Sequence, residues 1–265
     1  MNRIYKYGFF VLTALAIACA TMKPQQKPTL FLIGDSTVKH AKGMGDGGRW
    51  GWGDIIAAYF DTTKISVKNE ALGGTSTRTF LNRGRWAAVY PKIKKGDYVI
   101  MQFGHNDSSP LDDSARARGT IKNNSDESKE IYNPITKQKE VVYSYGWYLR
   151  KFISDIKAKG ATPIVSSPIP RNNWTSGKVN REDNTYALWA KQAAEQGGAE
   201  FIDLNKIASD HYDLEGEQKV RATYFNTTDA THTIEAGARL NAQSVVEGLQ
   251  SLKPNPLTKY LKNTD

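Results

Sequence analysis

From residue 30 onward, short apolar runs alternate with longer amphipathic stretches, and that alternation leaves few folds open to the chain. Leu30-Phe31-Leu32-Ile33 stops at Gly34 and reads as a buried strand. Residues 65–68, 98–103, 163–166 and 200–204 repeat the pattern. Pro163 lacks an N–H for a ladder, so it is expected at an edge or a first position. Between these runs, residues 52–60, 82–93, 145–159, 184–196 and 236–252 show helical spacing. Such alternation predicts an α/β fold: a three-layer α/β/α sandwich around a mainly parallel five-stranded sheet. Residues 108–142 break the rhythm. They are polar, carry turn signals at Asn123-Asn124 and Asn133-Pro134, and predict a hairpin inserted after the third strand. Ligands of parallel sheets bind beyond the carboxyl ends of the strands, where this insertion would lie.

Residues 1–20 stand apart from the fold. Arg3 and Lys6 precede an apolar run over 9–18 that ends in small residues, the pattern of a secretory signal peptide and too short to span a membrane. Cys19, the only cysteine, admits two readings. Ala18-Cys19-Ala20 is a cleavage site that frees a chain starting at Thr21, or Cys19 is the lipid-bearing residue of a lipoprotein signal and attaches the protein to a membrane. Both predict an exported protein, in the periplasm, at the cell surface or secreted, that holds together without disulfides. Residues 21–28 read as a linker and 29–265 as one domain.

The net charge of +9 suits an anionic polymer without naming one, and no Lys/Arg block points to nucleic acid. The sequence has no H-E-x-x-H, cysteine cluster or Asp-rich calcium loop, so neither metal nor cofactor is expected.

Three strand-end loops should leave the same edge of such a sheet. They carry Ser36, Gly73-Gly74 and Gly104-His105-Asn106-Asp107, while Asp229 and His232 lie three residues apart before the last helix. A serine hydroxyl becomes a nucleophile only when a base takes its proton, and a neutral imidazole does this near pH 7. His232 is the candidate base, with Asp229 to fix its tautomer and stabilise the imidazolium. The backbone N–H groups of Ser36 and Gly74 and the amide of Asn106 are candidate donors to an oxyanion. Taken singly, each residue has a plainer role: Ser36 and Asp229 as caps, Gly74 as a positive-φ turn, Asn106 as a turn cap, His232 as a surface histidine. Their conjunction at strand ends singles them out. His105 is expected to support the Asn106 loop.

The serine lacks the G-x-S-x-G elbow of the α/β-hydrolases. The blocks GDST, ALGG, GHND and DATH resemble instead the SGNH (GDSL-type) hydrolases. Longer stretches, NEALGGTSTRTF, RGRWAAVYPKIKKGDYVIMQFGHND and GWGD, are similar to rhamnogalacturonan acetylesterases and related carbohydrate esterases. The resemblance runs over essentially the whole chain beyond the leader. It implies a flavodoxin-like sandwich, Ser36 as nucleophile, Asp229 and His232 completing the triad, and Ser36, Gly74 and Asn106 as the oxyanion donors. The implied reaction is removal of O-acetyl groups from a plant cell-wall polysaccharide, rhamnogalacturonan first. Residues 108–142 match nothing in a compact family member.

Trp50, Trp52, Tyr145, Trp147 and Trp174 are candidates to stack on sugars, although Trp147 is expected in the core. Lys39, Arg49, Arg78 and Arg171 are candidates to pair with uronate carboxylates, against the plainer alternative of surface solvation. Acetylated xylan, a lipid or thioester substrate, and a non-catalytic glycan-binding surface protein are the alternatives.

Overall fold

The computed structural model describes residues 27–262, so the leader and Cys19 lie outside the described residues. In chain order the strands and helices are β1 (Thr29–Gly34), β2 (Ser66–Asn69), α1 (Thr77–Asn82), α2 (Arg85–Val89), β3 (Tyr98–Gln102), β4 (Ser128–Asn133) and β5 (Gln138–Tyr143). There follow α3 (Tyr145–Ala158), β6 (Thr162–Ser166), β7 (Trp174–Thr175), β8 (Lys178–Val179), α4 (Tyr186–Gly197), β9 (Glu200–Ile202), α5 (Leu204–Glu215), α6 (Glu217–Tyr224) and α7 (Glu235–Ser251).

The main sheet has the order β2-β1-β3-β6-β9, with every pairing parallel. Side chains alternate across a strand, so β1 sends Leu30 and Leu32 to one core and Phe31 and Ile33 to the other. On the first face lie α7, through Ala238, Ala242, Val245 and Leu249, together with Trp52, Ile56 and Phe60. On the second lie Phe80 of α1, Trp86 and Val89 of α2, Leu149 and Phe152 of α3, and Ala190 and Ala194 of α4. This is the expected three-layer α/β/α sandwich.

Several local expectations are corrected. Residues 52–60 form two 3-10 turns, Trp52–Asp54 and Ile56–Tyr59, rather than one helix. The N–H groups of Trp52 and Gly53 donate to Thr37 and Val38 carbonyls at 3.1 and 3.0 Å, which ties this segment to the loop leaving β1. The 82–93 stretch breaks at Gly84, whose φ of 81° ends one helix and begins another. Pro163 sits on β6, an inner strand, as its second residue. It is tolerated because β9 joins only from Ile164, while the N–H of Thr162 already serves the β3 side. The 204–224 helices have no counterpart in the periodicity reading. Within the insertion, β4 and β5 form the expected antiparallel hairpin, turning where the Asn133 side chain accepts the N–H groups of Ile135 and Thr136.

Arg78 is not a sugar ligand. It is fully buried, forks onto Glu140 (Nε–Oε1 2.8 Å, Nη2–Oε2 2.6 Å) and donates through Nη1 to the carbonyls of Leu111 and Gly119 at 2.8 and 2.9 Å. It therefore fastens the insertion to α1. Burial alone would raise the Glu140 pKa, but the bonds from Arg78, Asn133 and Asn82 override it and hold the carboxyl at about 2. A carboxyl depressed in this way contributes stability above its ordinary 4.5 that is lost as pH falls toward 2. Arg78→Met strands Glu140 without its cation and should cost about 3 kcal/mol at pH 7. Urea melts at pH 7 and pH 3 check this: the deficit should shrink at the lower pH, and a pH-independent deficit contradicts the assignment.

Candidate active site

The loop after β1 is fixed from beneath. Fully buried Asp35 accepts the backbone N–H and hydroxyl of Thr37 at 2.9 and 2.7 Å, and its other oxygen lies 3.4 Å from His105 Nδ1. Gln102, at the end of β3, donates to Thr37 Oγ1 at 2.5 Å and accepts from Trp52 Nε1 at 2.8 Å. Trp52 is thus wholly buried and positions the Ser36 loop, which corrects its expected place on a sugar. Ser36 sits at the tip of the turn and is 8% exposed.

His232 meets Ser36 from the other end of the chain. Its Nε2 lies 2.8 Å from Ser36 Oγ, and its Nδ1 lies 2.8 Å from Asp229 Oδ2. Asp229 accepts the backbone N–H groups of Thr231 and His232 at 2.9 and 3.0 Å on its other oxygen. Arg49 Nε lies 2.8 Å from the same carboxylate, and the Arg49 side chain also lines the cleft. Burial opposes ionisation of Asp229, but the N–H donors and the His232 ring outweigh it and hold the pKa at about 2. Burial pushes the His232 imidazole below its ordinary 6.5; Asp229 pulls the other way, and His40 and Arg49 reinforce the burial. The ring is therefore neutral at pH 7, with Nδ1–H held by the carboxylate and the Nε2 lone pair aimed at the hydroxyl.

Ser36, Gly74, Asn106 and His232 line one cleft of about 520 Å³. Gly74 has a φ of 79°, which suits glycine. Asn106 is 7% exposed and donates one amide proton to Thr75 O at 2.8 Å, leaving the second for a ligand. Next to it, Asp107 accepts the N–H of Thr77 at 3.1 Å, and burial pushes its carboxyl up to about 7. His105 bonds the Ile169 carbonyl at 3.0 Å and lies against Asp35, which is a supporting position.

The remaining sequence candidates divide. Arg171 lines the cleft, bonding Thr231 Oγ1 and, at 3.2 Å, His105 O. Lys39 and the five aromatic candidates are not on its lining. Trp50 is half-buried against the core and acts through its backbone, which bridges to Thr233. Tyr145 is buried with its hydroxyl on Phe103 O, Trp174 bonds Asn172, and Trp147 stacks on Tyr143 at 3.9 Å outside the core. Sequence reasoning missed five lining residues, three of them with ionisable side chains. His40 stands edge-on to His232 at 4.9 Å, and Arg116 and Arg118 enter from the insertion. The only signal for the arginines is their spacing of two in a polar loop. Among the described residues, no group of three or more His, Cys, Asp or Glu could hold a metal ion.

A hydroxyl, a neutral imidazole and a carboxylate in line, with amide donors beside them, can carry acyl transfer. The comparisons agree. Residues 32–240 match the GDSL-like lipase/acylhydrolase family, and the chain belongs to that family of carboxylic ester hydrolases. Over 222 residues it is 30% identical to the rhamnogalacturonan acetylesterase of Emericella nidulans, covering 83% of this chain and 84% of the relative. It is likewise 30% identical to the probable rhamnogalacturonan acetylesterase YesY of Bacillus subtilis, covering 88% and 96%. Among solved structures, protein YxiM of Bacillus subtilis superposes with a TM-score of 0.68 at 28% identity. That match covers 86% of this chain and 57% of YxiM.

The pH dependence of kcat/KM for a small ester should show an acid limb below 6.5, where His232 protonates. Arg49→Gln removes a cation facing the ring, favours the imidazolium and should move that limb to higher pH. An unmoved or lowered limb contradicts the electrostatic account.

Proposed function

We propose that the protein is a serine esterase that removes O-acetyl groups from plant cell-wall polysaccharide, with acetylated rhamnogalacturonan as substrate. Ser36 Oγ attacks the acetyl carbonyl carbon while His232 Nε2 takes its proton. The Ser36 and Gly74 N–H groups and the Asn106 amide hold the oxyanion. Collapse of the intermediate breaks the bond to the sugar oxygen, which receives the proton from His232. Water, deprotonated by the same imidazole, then attacks the acetyl-serine; the bond to Ser36 Oγ breaks, His232 returns the proton to that oxygen, and acetate leaves. Asp229 keeps the imidazole in the required tautomer throughout.

The observation that carries this reading is the unbroken Asp229–His232–Ser36 chain of 2.8 Å contacts opening into the cleft. The cleft is lined by polar and cationic side chains rather than an apolar groove, which suits an acetyl group on a sugar better than a long acyl chain. The names of the relatives in Emericella nidulans and Bacillus subtilis support the choice of polymer. A polymeric substrate also accords with the export expected from residues 1–20.

Acetate release from acetylated rhamnogalacturonan and acetylated xylan, measured side by side, tests the reading. Release is expected from the first, and Ser36→Ala should lower it by at least about ten-thousand-fold without unfolding the protein. Release from xylan alone would keep the chemistry and overturn the substrate. An active Ser36→Ala protein would overturn both.

A further inference from the structure

Arg116 and Arg118 reach the cleft from a turn that the fold holds firmly. Ala117 between them is 1% exposed at a φ of 42°, a left-handed conformation costing about 1–3 kcal/mol in a residue other than glycine. It persists because the Ala117 N–H donates to Asp113 O at 2.8 Å and Arg83 donates to Arg116 O. The Thr120 N–H then donates to Asp107 O at 3.0 Å, which fixes the turn to the block that carries Asn106. Both guanidinium groups converge on Gly74. The position a Cβ would take there lies 3.9 Å from Arg116 Nη1 and 4.0 Å from Arg118 Nη1.

Arg49 has Asp229 and Arg78 has Glu140, but among the described residues no carboxylate lies within ion-pairing distance of Arg116 or Arg118. Only the more distant Asp113, Asp35 and Asp107 offset the charge of Arg118. Arg118 bonds only neutral oxygens, Ser109 Oγ and Gly74 O, each at 3.2 Å. Burial first, and then the neighbouring Arg116, push Arg118 below the usual guanidinium range. Two cations held together on a strained turn, one of them partly desolvated, repel each other until an anion lies between them. Arg171, also on the lining, bonds Thr231 Oγ1 and His105 O, and among the described residues no carboxylate lies within ion-pairing distance of it.

We propose that Arg116 and Arg118 form an anion subsite that takes a hexuronate carboxylate of the acidic polymer bound in the cleft. The assignment rests on the acidic-polysaccharide reading above, and it gives the 108–142 insertion a role in choosing the polymer. A planar carboxylate matches the guanidinium fork, and a neutral sugar gives these cations nothing to neutralise.

Arg116→Gln is the cleaner variant, because the Arg116 side chain is exposed and makes no hydrogen bond among the described residues, whereas Arg118 also holds Gly74 O. Hydrolysis of nitrophenyl acetate is followed in the presence of unacetylated trigalacturonate or of xylotriose, each protein being compared with its own uninhibited rate. The acidic trisaccharide should inhibit the wild type competitively, and far more strongly than the neutral one. Its inhibition constant should rise about tenfold in Arg116→Gln, the loss of one charge-assisted contact, and recover in part in Arg116→Lys. Equal inhibition by the two trisaccharides, or an unchanged constant in the variant, would overturn the subsite. A wild type that discriminates between them yet releases no acetate from acetylated rhamnogalacturonan would keep the subsite and remove the substrate reading.

Discussion

The contact between Ser36 and His232 joins residues 196 positions apart, so the site depends on whatever lays the two ends of the fold together. That task falls to a short backbone bridge. The Trp50 N–H donates to Thr233 O at 2.8 Å, and the Thr233 hydroxyl donates back to Trp50 O at 3.0 Å. Thr233 also pairs with Phe225, so the loop bearing Asp229 and His232 is clasped from both sides before α7 begins. The helix then buries Ala238, Ala242, Val245 and Leu249 in the core that contains Leu30 and Leu32 of β1. Burial of that apolar surface supplies the stability; the three polar groups of the site are held in register by it.

Two buried carboxyls lie behind the reactive edge, and their pKa values are displaced in opposite directions. Asp35 follows β1, and although burial opposes its ionisation, His105 and the Thr37 donors keep its pKa below the ordinary value. Asp107 follows β3, and burial, reinforced by the charge on Asp35, raises it to about 7 despite its bonds to Thr77. Both act structurally: one fixes the turn of Ser36, the other fixes the start of α1 against the Asn106 loop. The polar residues of the GDST and GHND blocks are thus largely explained as supports for two side chains, Ser36 and Asn106.

The sheet was legible because its strands are apolar runs closed by turn residues, a pattern that local sequence carries. Ser36, Gly74 and Asn106 were legible because strand ends of a parallel sheet share an edge; Asp229 and His232, which precede the last helix, were legible from their spacing of three and from the DATH block. Long-range partners were not legible. Nothing local to Arg78 says that Glu140, 62 residues away, will bury it, or that Gln102 will claim the indole of Trp52. The 52–60 segment has helical spacing, yet its N–H groups either close 3-10 turns, as from Ile55 and Ala58, or, at Trp52 and Gly53, go to the Thr37 and Val38 carbonyls. Arg116 and Arg118 were missed for the converse reason: a polar, turn-rich insertion looks solvated until its attachment to Asp107 is seen.

The central claim is that Ser36 is the group that becomes acylated, and covalent trapping tests it most directly. The protein is treated with an organophosphate at pH 7, digested, and its peptides are weighed. The account requires one equivalent of phosphoryl group on the peptide carrying Ser36, with labelling suppressed by His232→Ala. Labelling of a different serine or threonine, or labelling of Ser36 that proceeds equally well without His232, would contradict it.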